Sequence, residues 1–205
     1  MLLKLTIEFE TALHHGSGFG LAGIVDRAVL RDESGMPYLA GSALKGKFRH
    51  AAARVLLGTG GRVCGPWSES DAPWCAPPSS CLLCEIFGSP RRSGAASFED
   101  AYPEMPEQAI LRGHNQTSLS KVFWGGSDVR STTAMDRCLR KARPEHLFST
   151  ETVSRLVRFA AHVRGDFSAE QARLLHEAAK LIGHFGADSA RGLGACSCRL
   201  TEVSA

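Results

Sequence analysis

Residues 35–57 read GMPYLAGSALKGKFRHAAARVLL, and this stretch decides the fold. A tight turn at Gly35 leads to a glycine-flanked helix start, with Ser42 as the predicted N-cap. Leu44, Phe48, Ala51 and Val55 follow at helical spacing and form an apolar stripe suited to a sheet face. Lys45 and Arg49 lie one turn apart, with Lys47 in the same turn. Cations this early in a helix oppose its macrodipole, so helix stability does not account for them. A phosphate partner does, by taking helix N-terminal N–H groups and the lysine charge together. Gly41 and Gly46 would let such a ligand reach the backbone. The plain alternative is a solvated basic face.

Upstream, residues 2–13 alternate, with Leu3, Leu5, Ile7, Phe9 and Leu13 on one side and Lys4, Thr6, Glu8 and Glu10 on the other. That pattern predicts a half-buried strand. Gly16, Gly18, Gly20 and Gly23 then break it. Three of them match a dinucleotide fingerprint, but no helix opens there and no acidic residue stands about twenty positions beyond. A loop admitting a close backbone partner is the better reading. Val25, Val29 and Leu30 predict a short strand, and Asp32–Gly35 a turn.

Downstream, residues 58–90 are rich in Gly, Pro, Ser and Cys without periodicity, which marks an insertion. Cys64, Cys75, Cys81 and Cys84 within it are predicted ligands of a structural Zn²⁺, which supplies local folding energy where no core exists. His50 is a substitute fourth ligand, and reduced thiols in a loop are the alternative. A zinc deaminase is excluded, because Ser80 precedes Cys81 and no His-x-Glu occurs anywhere. Residues 103–150 form a basic insertion with weak periodicity. Val157, Phe159, Ala161 and Val163 alternate as another strand. Ser168 and Gln171 form a capping box that opens a helix with Ala172, Leu175, Ala178, Leu181 and Ile182 inward. Gly183–Gly194 is a second glycine-rich loop, and Ala195–Val203 a last strand with Cys196 and Cys198 as core thiols. The order is βαββαβ, an α+β ferredoxin-like (RRM-like) arrangement over one domain, 1–205.

Composition narrows the classes. The 205 residues are 43% hydrophobic with a net charge of +3, which suits one globular domain. No signal peptide or membrane span is evident, so a cytoplasmic chain without a membrane partner is expected. Arginine supplies 18 of the 24 basic residues, a bias that suits bidentate phosphate contacts but also follows from base composition of the gene. Seven cysteines argue against a disulfide framework.

The run Pro37–Arg49 resembles the PGSSLKGxxR signature of RAMP proteins, with Ala40 where the signature has Pro. Gly183–Gly194 resembles their C-terminal GxxxSRGLG loop. Gly23–Asp32 resembles the GxxDxxVxRD loop, Cys81–Gly88 the CxxCxLFG segment, residues 94–102 the strand ending in Asp-Ala and Leu147–Val153 the LFxxExV segment of one branch. That branch is the Cas-seven (Csm/Cmr-like) backbone subunit of type III CRISPR effector complexes. The resemblance implies a subunit that binds guide RNA, polymerises with copies of itself and other subunits, and cleaves the paired target RNA. It implies catalysis at Asp26, RNA contacts at Ser42, Lys45, Lys47, Arg49, Ser189, Arg191 and Gly192, and a β-hairpin thumb within 103–150. An unperturbed Asp, with a pKa of about 3.9, is a poor general base, so Asp26 is expected to hold Mg²⁺ or another divalent cation, with His14 and His15 nearby to assist. A non-catalytic RNA-binding scaffold and a guide-processing RAMP endonuclease are the alternatives.

Overall fold

Strand β1 (Leu2–Phe9) turns Leu3, Leu5, Ile7 and Phe9 into the core, as its alternation requires. The computed structural model describes residues 1–21, 24–65, 74–75, 80–105, 127–155 and 157–203. Strands β2 (Ser97–Phe98), β3 (Tyr102–Pro103), β4 (Ser127–Asp136), β5 (Lys141–Val153), β6 (Arg158–Arg164) and β7 (Cys196–Glu202) follow. The main sheet is antiparallel in the order β2–β6–β1–β7, with β3 also pairing β6. Taking β2 and β3 as one interrupted strand gives the expected ferredoxin-like order. Helices α1 (Gly41–Gly58) and α3 (Ala169–Leu181) pack on each other and share one core with β1 and β6. The short α2 (Leu82–Phe87) packs against α1.

The interruption between β2 and β3 has a cause. Leu39 and Ala101 exchange backbone hydrogen bonds of 2.9 and 2.8 Å, and Asp100 Oδ1 accepts the Gly41 N–H at 2.6 Å. Helix α1 therefore starts two residues earlier than an N-cap at Ser42 would place it, and Ser42 does not cap it. Ala40 is the N-cap and makes no side-chain cap bond, so the distant Asp100 does that work. Gly41 is needed there, because a Cβ would come within 3.0 Å of the Glu99 backbone. Asp100→Ala is expected to cost about 1 kcal/mol, measured by urea unfolding.

Three further expectations need correction. The first strand ends at Phe9, and Leu13 instead bridges Val153 at 2.9 and 2.7 Å. No strand forms over Val25–Leu30; only isolated bridges occur, because the Val29 N–H is taken by the Glu151 carboxylate at 2.9 Å. Leu181 is exposed, since it sits off the Leu175–Ala178–Ile182 face. The capping box of α3 forms as read, with bonds of 3.3 and 3.1 Å between Ser168 and Gln171.

Candidate functional site

Asp26 lies on an exposed loop at the mouth of a cavity of about 530 Å³. Its Oδ2 accepts the Ser149 N–H at 2.7 Å and the Ser149 hydroxyl at 2.8 Å, while its own N–H donates back to Ser149. The Ser149 N–H, and then its hydroxyl, hold the carboxyl below the usual aspartate range, so Asp26 is an anion at neutral pH. His14, His15, Arg27, Lys47 and Gly186 line the same cavity. His14 is buried and its Nδ1–H donates to Glu151 O at 2.7 Å. His15 is half-buried; burial, and then the neighbouring His14, lower its pKa below the ordinary 6.5. It is therefore a neutral imidazole at pH 7.

Two ion pairs assemble this site from remote segments. Arg27 Nη1 meets Asp188 Oδ2 at 2.6 Å, which docks the Asp26 loop on the C-terminal glycine-rich loop. Asp188 takes a left-handed backbone, φ 59°, just before a 3₁₀ turn over Ser189–Arg191, and Gly192 follows at φ 80°. Ser189, Arg191 and Gly192 are exposed beside this junction. Beneath it, the fully buried Glu151 pairs with Arg31, which also donates to Ser127 Oγ at 2.7 Å. Ser149 and Glu151 fall within the Leu147–Val153 segment and Asp188 within the Gly183–Gly194 loop, but nothing in those motifs names their partners.

The basic residues of α1 do not form one patch. Lys47 faces the Asp26 cavity, whereas Lys45 and Arg49 line a separate cleft on the other side of the helix. Ser42 is exposed in the first turn of the helix, ahead of all three, and makes no cap bond. The hairpin β4–β5 projects from the site. Its residues are mostly exposed, including Met135, Leu139, Leu147 and Phe148, while Thr150–Val153 anchor its base in the interior. Of the expected cations, Arg130, Arg137, Arg140, Lys141 and Arg143 lie on this hairpin; Lys121 lies outside the described residues.

Cys64, Cys75, Cys81 and Cys84 converge although up to 20 positions separate them. Their Sγ atoms all lie within 4.8 Å of one another, with Cys64–Cys84 at 2.9 Å and Cys64–Cys81 at 3.3 Å. Four sulfurs about 2.3 Å from a central ion is the tetrahedral zinc arrangement, and this donor set fits it. Burial, and then the Cys84 sulfur, push the Cys64 thiol up to about 11, so a bound cation must displace its proton. His50 is exposed on α1 and is not in the cluster. Cys84→Ser is expected to cut the zinc content at least about tenfold and to open the 58–90 segment to protease; metal analysis with limited proteolysis checks both.

No helix among the described residues is long and apolar enough to cross a membrane. No curated protein matches the sequence. Solved structures do match it in fold. One is the type III-B Cmr-beta bound to cognate target RNA, at TM-score 0.65 and 15% identity, covering 98% of this chain and 97% of that one. The apo state of Cmr-beta aligns at TM-score 0.66 and 14% identity, over 98% of each chain. A type IV-B CRISPR complex aligns at TM-score 0.64 and 15% identity, over 100% of this chain and 92% of that one. The sequence also matches the RAMP superfamily over residues 6–197. The chain belongs to the RAMP superfamily.

Proposed function

We propose that this chain is a guide-RNA-binding backbone subunit of a type III CRISPR effector complex that cuts target RNA paired to the guide. The observation that carries this reading is the cavity at Asp26, where one anionic carboxylate, a neutral His15 and Lys47 meet beside the exposed Ser189–Gly192 turn. Its partners would be guide RNA, target RNA, copies of itself and the other subunits of such a complex. The projecting hairpin, with its cations and exposed Phe148 and Leu147, suits insertion between stacked bases.

The chemistry is attack of a 2′-hydroxyl on the adjacent phosphorus. The 2′-O–P bond forms, the P–O5′ bond breaks, and a 2′,3′-cyclic phosphate and a 5′-hydroxyl result. Asp26, kept ionised by Ser149, accepts a hydrogen bond from the attacking hydroxyl and orients it, but it is too weak a base to act alone. His15 is the group whose proton affinity suits transfer near neutrality. Lys47 places positive charge where the phosphorane gathers negative charge, while Arg27 is engaged with Asp188. Asp26 is the one carboxylate among the described residues lining the cavity. A divalent cation, where bound, would be held on the protein side by Asp26 and would add positive charge at the phosphorus. A non-catalytic scaffold is favoured by that same scarcity of carboxylates.

Lys47→Ala and Arg191→Ala test the RNA interface. Each is expected to weaken RNA binding evenly across sequences and to lower the slope of log affinity against log salt by about one. Unchanged slopes would remove these residues from the interface. A pH–rate profile tests His15. Its folded pKa lies below 6.5, so activity should hold at pH 7 and fall only as pH drops below 6.5. His15→Gln should flatten that limb.

A further inference from the structure

The cleft on the opposite side of α1 has a chemistry of its own. Arg49 forms its floor: Nη1 donates to Gly88 O at 2.6 Å, and the guanidinium lies 5.2 Å from the Trp74 ring centre. Its Nη2 is buried and has no hydrogen-bond partner among the described residues. A buried cationic donor without an acceptor is costly, and an incoming anion would supply that acceptor. Lys45, Arg91 and Arg92 line the remaining walls of this space of about 660 Å³, with no carboxylate among the described lining residues. The nearby Glu85, which feels the charge of Arg92, is engaged by Ser80 Oγ at 2.6 Å and Gln171 Nε2 at 3.1 Å.

The geometry is built by two close approaches. Ser89 and Arg92 close a tight turn with bonds of 2.7 and 3.1 Å, which carries Arg91 at its tip. Gly88, at φ 84°, makes the turn possible, since a Cβ there would lie 2.8 Å from Gly94 N. The second approach is Trp74. It immediately precedes Cys75, and its ring packs on Gly65, next to Cys64; a Cβ on Gly65 would sit 3.2 Å from the ring. Trp74 is thus held between two members of the cysteine cluster and in turn backs Arg49.

We propose that this cleft binds a phosphate group, with Arg49 Nη2 as its buried donor and Lys45, Arg91 and Arg92 around it, and that metal in the cysteine cluster presets it through Trp74. The phosphate source rests on the RNA-binding reading above: an RNA backbone phosphate occupies the cleft, and free phosphate shares its chemistry.

The test uses the zinc-loaded full chain, labelled single-stranded RNA, and inorganic phosphate followed by tryptophan fluorescence. The double variant Arg91→Ala/Arg92→Ala changes exposed residues only. It should bind RNA about tenfold more weakly near about 100 mM salt, with a salt slope lower by about two. Trp74→Ala should weaken binding as much as zinc removal does, zinc removal should not weaken Trp74→Ala further, and Trp74→Phe should restore binding. Phosphate binding lost in the double variant with RNA binding unchanged would support the cleft and assign it to free phosphate. Phosphate and RNA both bound by the double variant as by wild type would overturn the proposal, and Lys47→Ala still weakening RNA would leave the RNA reading standing. Wild type that binds phosphate but no RNA would sink the RNA reading and keep the cleft. Zinc removal without effect on either ligand would overturn the role of the metal.

Discussion

Glu151→Ala is expected to destabilise the fold by about 3–5 kcal/mol, the range for removing one partner of a buried ion pair. Glu151 has no exposed surface, and the Arg31 side chain is only 17% exposed. One carboxylate oxygen takes Arg31 Nη2 and the other the Val29 N–H at 2.9 Å. Removing the carboxylate strands a guanidinium and a backbone donor together, while among the described residues Arg31 keeps Ser127 Oγ and Gly35 O. Natural domains hold roughly 5–15 kcal/mol in reserve, so the variant should be marginal at 37 °C. Glu151→Gln retains an acceptor for Val29 and should cost less. Urea midpoints measure both, and a loss under about 1 kcal/mol for the alanine variant would refute the pairing as a structural centre.

Asp26→Ala is expected to lower target-RNA cleavage by at least about a hundredfold while RNA affinity stays within about twofold. The carboxylate is exposed and spends two bonds on Ser149, so its loss frees a loop without emptying the core. Asp26→Asn separates the two parts of its role, because the amide oxygen can still accept from Ser149 but the charge is gone. Equal losses in both variants would assign the effect to charge; rescue by Asn would assign it to loop position. Since the Ser149 bonds depress the Asp26 pKa, acidification to pH 5 should not silence the wild type through Asp26.

Local signals were legible in the sequence and remote pairings were not. The capping box of α3 and the alternation of β1 are set by residues within one turn or one strand, so they could be read directly. The cap of α1 comes from Asp100, 59 positions beyond Gly41, and Ser149 reaches Asp26 across 123 positions. Arg27–Asp188 closes 161 positions and Arg31–Glu151 closes 120. No periodicity encodes such pairs, so Ser42 was credited with a cap that Asp100 makes. The division of the basic face was available in principle: at about 100° per residue, Lys47 points about 200° away from Lys45, while Arg49 returns to within about 40° of it. The cysteine spacing indicated a metal site, but only the fold shows that its neighbour Trp74 backs Arg49.

The most direct measurement is cleavage of end-labelled target RNA by the complex assembled on guide RNA, wild type against Asp26→Ala. Catalysis at Asp26 predicts regularly spaced cuts for the wild type, ending in 2′,3′-cyclic phosphates, that vanish in the variant while target binding persists. Cuts that persist in Asp26→Ala, or a wild type that binds target without cutting it, would contradict it.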